Sequence, residues 1–155
     1  MIGSTFLALA ANKFLWSVGL AWLLAQALKV VTYYIQNRQI RIHRLVEPGG
    51  MPSSHAAMVI ALLVGVGIRE GVSSTIFIVT LVFALATIYE AIGVRRAAGE
   101  QAEIINRLVE HVSRETTGTH LTGPEYHLKE RLGHNPLEVA VGSLIGFVMG
   151  LMWVG

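Results

Sequence analysis

The stretch from Phe14 to Ile35 constrains this chain more than any other feature. It is a nearly uninterrupted apolar segment, broken by Ser17, Gln26, Lys29 and Thr32, and long enough to cross ~30 Å of hydrocarbon. Three further apolar runs follow. Ala56 to Ile68 is short for a span, but counted from Ser54, and with Arg69 reaching to the surface, it nearly crosses. Thr75 to Val94 is rich in Ile, Val and Leu, and Pro136 to about Val154 carries Gly142, Gly146 and Gly150 at four-residue spacing. Small residues at that interval mark close helix packing in membranes. With 53% hydrophobic and 14% charged residues the chain is too apolar for an ordinary soluble domain. The expected fold is therefore all-α, a polytopic membrane bundle of about four transmembrane helices forming a single domain over residues 1–155.

Between the third and fourth spans lies the one long polar stretch, Arg95 to Asn135. Within it Ile105, Leu108, Val109 and Val112 fall at helical spacing opposite Glu103, Arg107 and Glu110, which predicts an interfacial amphipathic helix. Thr116 to Pro124, rich in Thr and Gly, reads as a loop. Gly71 to Ser74 reads as a tight turn in which Ser73 or Ser74 caps the next helix.

Charge placement predicts the topology. Nine basic residues (Arg38, Arg41, Arg44, Arg95, Arg96, Arg107, Arg114, Lys129 and Arg131) fall on one side of a four-span bundle. The other side holds little more than Lys13 and Arg69. The crowded side is then cytoplasmic and both termini lie outside. A net charge of +2 is too small to argue for nucleic acid, and with no Cys neither disulfides nor thiolate metal sites are available. The first twelve residues lack a basic region of the kind that opens a cleaved signal peptide.

The polar groups of the basic side are chemically specific. In Gly49-Gly50-Met51-Pro52-Ser53-Ser54-His55 the glycines free the backbone, and Ser53 or Ser54 caps a helix that carries His55 in its first turn. Such a helix N-terminus suits an anion, and two hydroxyls and an imidazole beside it suit a phosphate. The plainer alternative is a Ser-capped membrane helix with a histidine near the headgroups. The last span also begins on this side, at Asn135-Pro136, with His134 before it. Glu138 either completes a capping box with Asn135 or fixes the tautomer of His134 four residues back. Lys29 sits six residues before the end of its span, roughly 9 Å deep. A buried ammonium there either reaches toward a phosphate or snorkels to the surface. Glu90, one turn inside the third span, is either catalytic or paired with Arg95, Arg96 or Lys29.

Lys29, the string GGMPSSH, the string EAIGVRRAAGEQA (Glu90 to Ala102) with Asn106, and LGHNPLEVAVG (Leu132 to Gly142) resemble the divergent branch of the type 2 phosphatidic acid phosphatases. Their superfamily also includes the vanadium haloperoxidases. The resemblance implies that His134 attacks a phosphomonoester, forming a phosphohistidine that water hydrolyses, with Glu138 orienting it. It implies that His55 protonates the leaving oxygen, and that Lys29, Ser53, Ser54 and a guanidinium from Arg95 or Arg96 hold the phosphoryl group. Four positions depart from the pattern: Gln36 and Leu128 stand where arginines are expected, Ser54 replaces a Gly, and Glu138 replaces an Asp. The implied substrate is a lipid phosphate or a polyprenyl phosphate or diphosphate in a bacterial-type plasma membrane or organelle membrane, and no metal or other cofactor is needed. Two other readings stand beside it: a non-catalytic membrane protein that binds anionic lipid headgroups, and a metal-dependent lipid phosphatase built on Glu90, Glu100 and Glu103.

Overall fold

A computed structural model describes residues 7–8, 10–40, 49–117, 127–128 and 133–154. The regular structure among them is entirely helical: α1 (Lys13–Asn37), α2 (Ser54–Glu70), α3 (Thr75–Tyr89), a π-helical turn (Glu90–Val94), α4 (Arg95–Thr117) and α5 (Pro136–Val154). The expected loop over Thr116 to Pro124 falls largely outside the described residues, as do Arg41, Arg44, Lys129 and Arg131.

The helix ends follow from local chemistry. Asn12 accepts the Phe14 N–H at 2.9 Å and starts α1, whose end is closed by Arg38 in the left-handed region with its N–H on the Tyr34 carbonyl. Of the two serines expected to cap α2, Ser53 is the cap and Ser54 the first helical residue. Glycine at 71, with φ of 82°, stops α2, and Ser74 then caps α3 through the Phe77 N–H.

Helix α2 is the hub on which α5, α1 and α3 pack. Its inner faces are small. Ala57 and Ala61 meet Ala21 and Ala25 of α1, with Ile145 and Met149 of α5 closing the cluster. The α5 glycines let the two backbones touch: a Cβ on Gly142 would stand 2.2 Å from the Ser53 carbonyl oxygen, and one on Gly146 2.3 Å from that of Ala57. Close approach through small residues is how helices hold together where lipid supplies no hydrophobic drive.

Among the described residues three helices are long and apolar enough to cross a membrane: Lys13–Asn37, the continuous Thr75–Ser113 and Pro136–Val154. Helix α2 is shorter, at 17 residues, and packs against α1, α3 and α5. Its far end lies beside the start of α1, where the Arg69 guanidinium sits 5.3 Å from the Phe14 ring centroid. The sequence separates the third span from the amphipathic helix; the structure runs them together. At 1.5 Å per residue the 39 residues from Thr75 to Ser113 extend about 58 Å, well beyond the hydrocarbon, so α4 leaves the membrane as a prolongation of α3. One side of α4 buries Ala102 and Asn106, while Ile104 and Leu108 stay exposed on the other.

Candidate functional site

One end of the bundle collects the chain's polar chemistry. It is formed by the last turns of α1, the first turns of α2 and α5, and the passage from α3 into α4.

The loop before α5 is fixed at several points. The His134 backbone N–H donates to the Ala91 carbonyl of the π-helical turn at 3.0 Å. A π turn redirects backbone hydrogen bonds and often marks a functional position; here one of its carbonyls receives the histidine. Gly133 passes so close to α4 that a Cβ there would meet the Arg96 Cα at 2.4 Å. Asn106 holds the preceding segment, donating to the Leu128 carbonyl at 2.9 Å and accepting the Leu128 N–H at 2.8 Å.

Glu138 fills both roles open to it. Its Oε2 accepts the Asn135 N–H at 3.3 Å, completing the capping box, and lies 2.8 Å from His134 Nδ1. A carboxylate on Nδ1 selects the tautomer with the proton there and leaves the Nε2 lone pair available. His134 is 4% exposed. His55 is exposed, and its ring meets that of His134 edge-on, with centroids 6.4 Å apart and planes at 61°. The charged side chains that act on His55 are Arg95, Lys29 and Glu90.

Lys29 does not snorkel. It is 5% exposed and its Nζ donates to Ser54 Oγ at 3.2 Å. Ser53 is fully buried, its hydroxyl accepting the Ala56 N–H as the α2 cap and its own N–H donating to the Glu138 carbonyl at 2.9 Å. The hydroxyls of Ser53 and Ser54 are thus both engaged within the protein.

A cavity of about 520 Å³ opens at this end. Lys29, Thr32 and Gln36 line it from α1, Gly49 to Met51 from the loop before α2, Arg96, Glu100 and Glu103 from α4, and His134 and Glu138 from the start of α5. Arg95 is not on this wall; it pairs with Glu90 at 2.9 Å, so Glu90 has the structural partner the sequence allowed it. Arg96 faces the cavity while bonded to Glu100 at 3.0 Å, and Glu103 pairs with Arg107. The three carboxylates considered for a metal are therefore each in an ion pair rather than convergent. No group of three or more His or Glu among the described residues could hold a metal ion. Neither Arg38 nor the partly exposed Leu128 lines the cavity. Thr32, in the sequence only an interruption of a span, and Glu100 and Glu103 all line the cavity, which their spacing alone does not reveal. A hydroxyl one turn after a buried lysine was the available signal for Thr32.

An all-helical integral membrane protein, with two histidines, a carboxylate and a buried lysine gathered at one end of its bundle, is the class these features define. The chain belongs to the divergent PAP2 family, whose model matches residues 10–149. The uncharacterized membrane protein YuiD of Bacillus subtilis (strain 168) is 40% identical to it over 138 residues, covering 85% of this chain and 87% of that protein. No solved structure matches the chain.

Proposed function

We propose that the protein is an integral-membrane phosphatase that hydrolyses a phosphomonoester of an amphiphile through a phosphohistidine on His134. The observation that carries this reading is the pairing of the two imidazoles at 6.4 Å, with the inner one tied to Glu138 through Nδ1. The pairing puts both imidazoles within reach of one phosphoryl group, His134 toward phosphorus and His55 toward the ester oxygen. His134 Nε2 attacks phosphorus, the P–O ester bond breaks, and the departing oxygen takes a proton from His55. Water, deprotonated by the now neutral His55, attacks the phosphohistidine; the P–N bond breaks and inorganic phosphate leaves. Glu138 stabilises the positive charge that His134 gains in the first step. Lys29 and Arg96, both on the cavity wall, neutralise the phosphoryl oxygens.

The basic residues at this end support a cytoplasmic reacting face by the positive-inside rule. A second reading, that the protein binds anionic lipid headgroups without turning them over, is favoured by one observation: Arg95 and Arg96 are each held by a glutamate. Phosphate release by purified protein in micelles, from phosphatidic acid and from prenyl phosphates, separates the two. The proposed enzyme releases inorganic phosphate from at least one of these; binding without release identifies the headgroup binder.

A further inference from the structure

We infer that Ser54 and Thr32 are positioning residues that hold the Lys29 ammonium ready for an anion without cancelling its charge. The inference rests on the reading of this end of the bundle as a phosphate site.

An ammonium has three protons to donate and no acceptor of its own. Buried, it is costly unless paired or fully hydrogen-bonded. The Lys29 ammonium donates to a neutral hydroxyl, Ser54 Oγ at 3.2 Å, while the carboxylate that acts on it, Glu138 on the same cavity wall, is itself engaged by His134 and the Asn135 N–H. Ser54 is itself 2% exposed, so this hydrogen bond is shielded from water.

The other end of the lysine is fixed to the same loop. One turn along α1, the Thr32 hydroxyl lies 2.6 Å from the Met51 carbonyl oxygen and 3.1 Å from that of Lys29. Thr32 therefore ties the backbone of Lys29 to the loop that precedes Ser53, while Ser54 ties its tip. A glycine at 54 would leave the ammonium without this partner. A carboxylate there would hold it and neutralise it. A hydroxyl fixes the ammonium and leaves its full charge for a ligand, which is the condition for strong charge-assisted binding in a dry site.

The test uses full-length protein in micelles, with inorganic phosphate and orthovanadate as probes, and reads both their dissociation constants and the melting temperature. Losing one hydrogen bond to a charged group, Ser54→Ala weakens binding of both anions by about tenfold or more. Ser54→Thr, which restores a hydroxyl, binds within about threefold of wild type, within the range of a conservative change. Ser54→Asp abolishes binding while the protein still melts cooperatively. On a Lys29→Met background, Ser54→Ala causes no further loss, because its effect runs through the lysine. Wild-type binding by Ser54→Ala, failure of Ser54→Thr to do better than Ser54→Ala, or an undiminished Ser54→Ala effect without Lys29 overturns the inference, as does wild-type protein that binds neither anion. Ser54-dependent binding without any phosphate release would leave the inference standing and remove the phosphatase. Turnover that ignores these substitutions would do the reverse.

Discussion

The Ser53 N–H donates to the Glu138 carbonyl oxygen at 2.9 Å, joining the cap of α2 to the first turn of α5. Through this one bond the segment bearing His55 and the helix start bearing Glu138 share a backbone frame. The relative placement of the two imidazoles is thus set by how closely α2 and α5 approach.

That approach depends on glycine. A methyl group at Gly142 or Gly146 would press on a carbonyl oxygen at 2.2 or 2.3 Å, backbone atoms that cannot swing aside. Gly142→Ala and Gly146→Ala are expected to lower stability by about 2 kcal/mol or more. Gly19→Ala, where a Cβ meets nothing within 4 Å, should be neutral or slightly stabilising. Melting temperatures in one detergent compare the three.

Glu138→Gln keeps an oxygen that can cap α5 and accept from His134 but removes the negative charge. The folded protein should melt near the wild-type temperature while kcat falls on the order of 10²-fold. A fall in melting temperature matching the loss of activity would instead assign Glu138 to the cap alone.

His55→Ala should show itself through the leaving group. Hydrolysis of an alkyl phosphate, whose oxygen needs a proton to depart, should fall by about 10²-fold or more, and that of p-nitrophenyl phosphate, a good leaving group, far less. Equal losses on both substrates would remove His55 from the role of acid.

Asn106 makes two hydrogen bonds to the backbone of Leu128 from a site 7% exposed. Asn106→Ala leaves the half-exposed Leu128 N–H and C=O without that partner and should cost about 1 kcal/mol. Asn106→Asp keeps the acceptor and loses the donor, so it should fall between the two. Urea titration of the three proteins ranks them.

Much of this arrangement was legible in the residues because it is local. Apolar runs mark the spans, Ser53 and Ser74 cap the helices they precede, and the Asn135/Glu138 spacing forms the capping box it predicts. The depth of Lys29 signalled a group that is not lipid-facing, and it is buried against Ser54. What could not be read is what depends on contact between distant segments. Nothing in Glu90-Ala91-Ile92-Gly93-Val94 announces a π turn, because the turn's link to the rest of the site is an Ala91 carbonyl meeting a histidine more than forty residues away. The pairing of Glu100 with Arg96 follows helical spacing, but only packing places both on the cavity. The departures at Gln36 and Leu128 are likewise uninformative by themselves, since Gln36 lines the cavity and Leu128 serves through its backbone.

The central claim is that His134 becomes phosphorylated. Purified protein mixed with a phosphomonoester and quenched in alkali within the first turnover, then digested and analysed by mass spectrometry, reads this directly. The account predicts an alkali-stable, acid-labile phosphoryl group on the peptide containing His134, absent from His134→Ala and longer-lived in His55→Ala. Phosphate release by wild-type protein with His134 unmodified at every quench time, or undiminished release by folded His134→Ala, would contradict it.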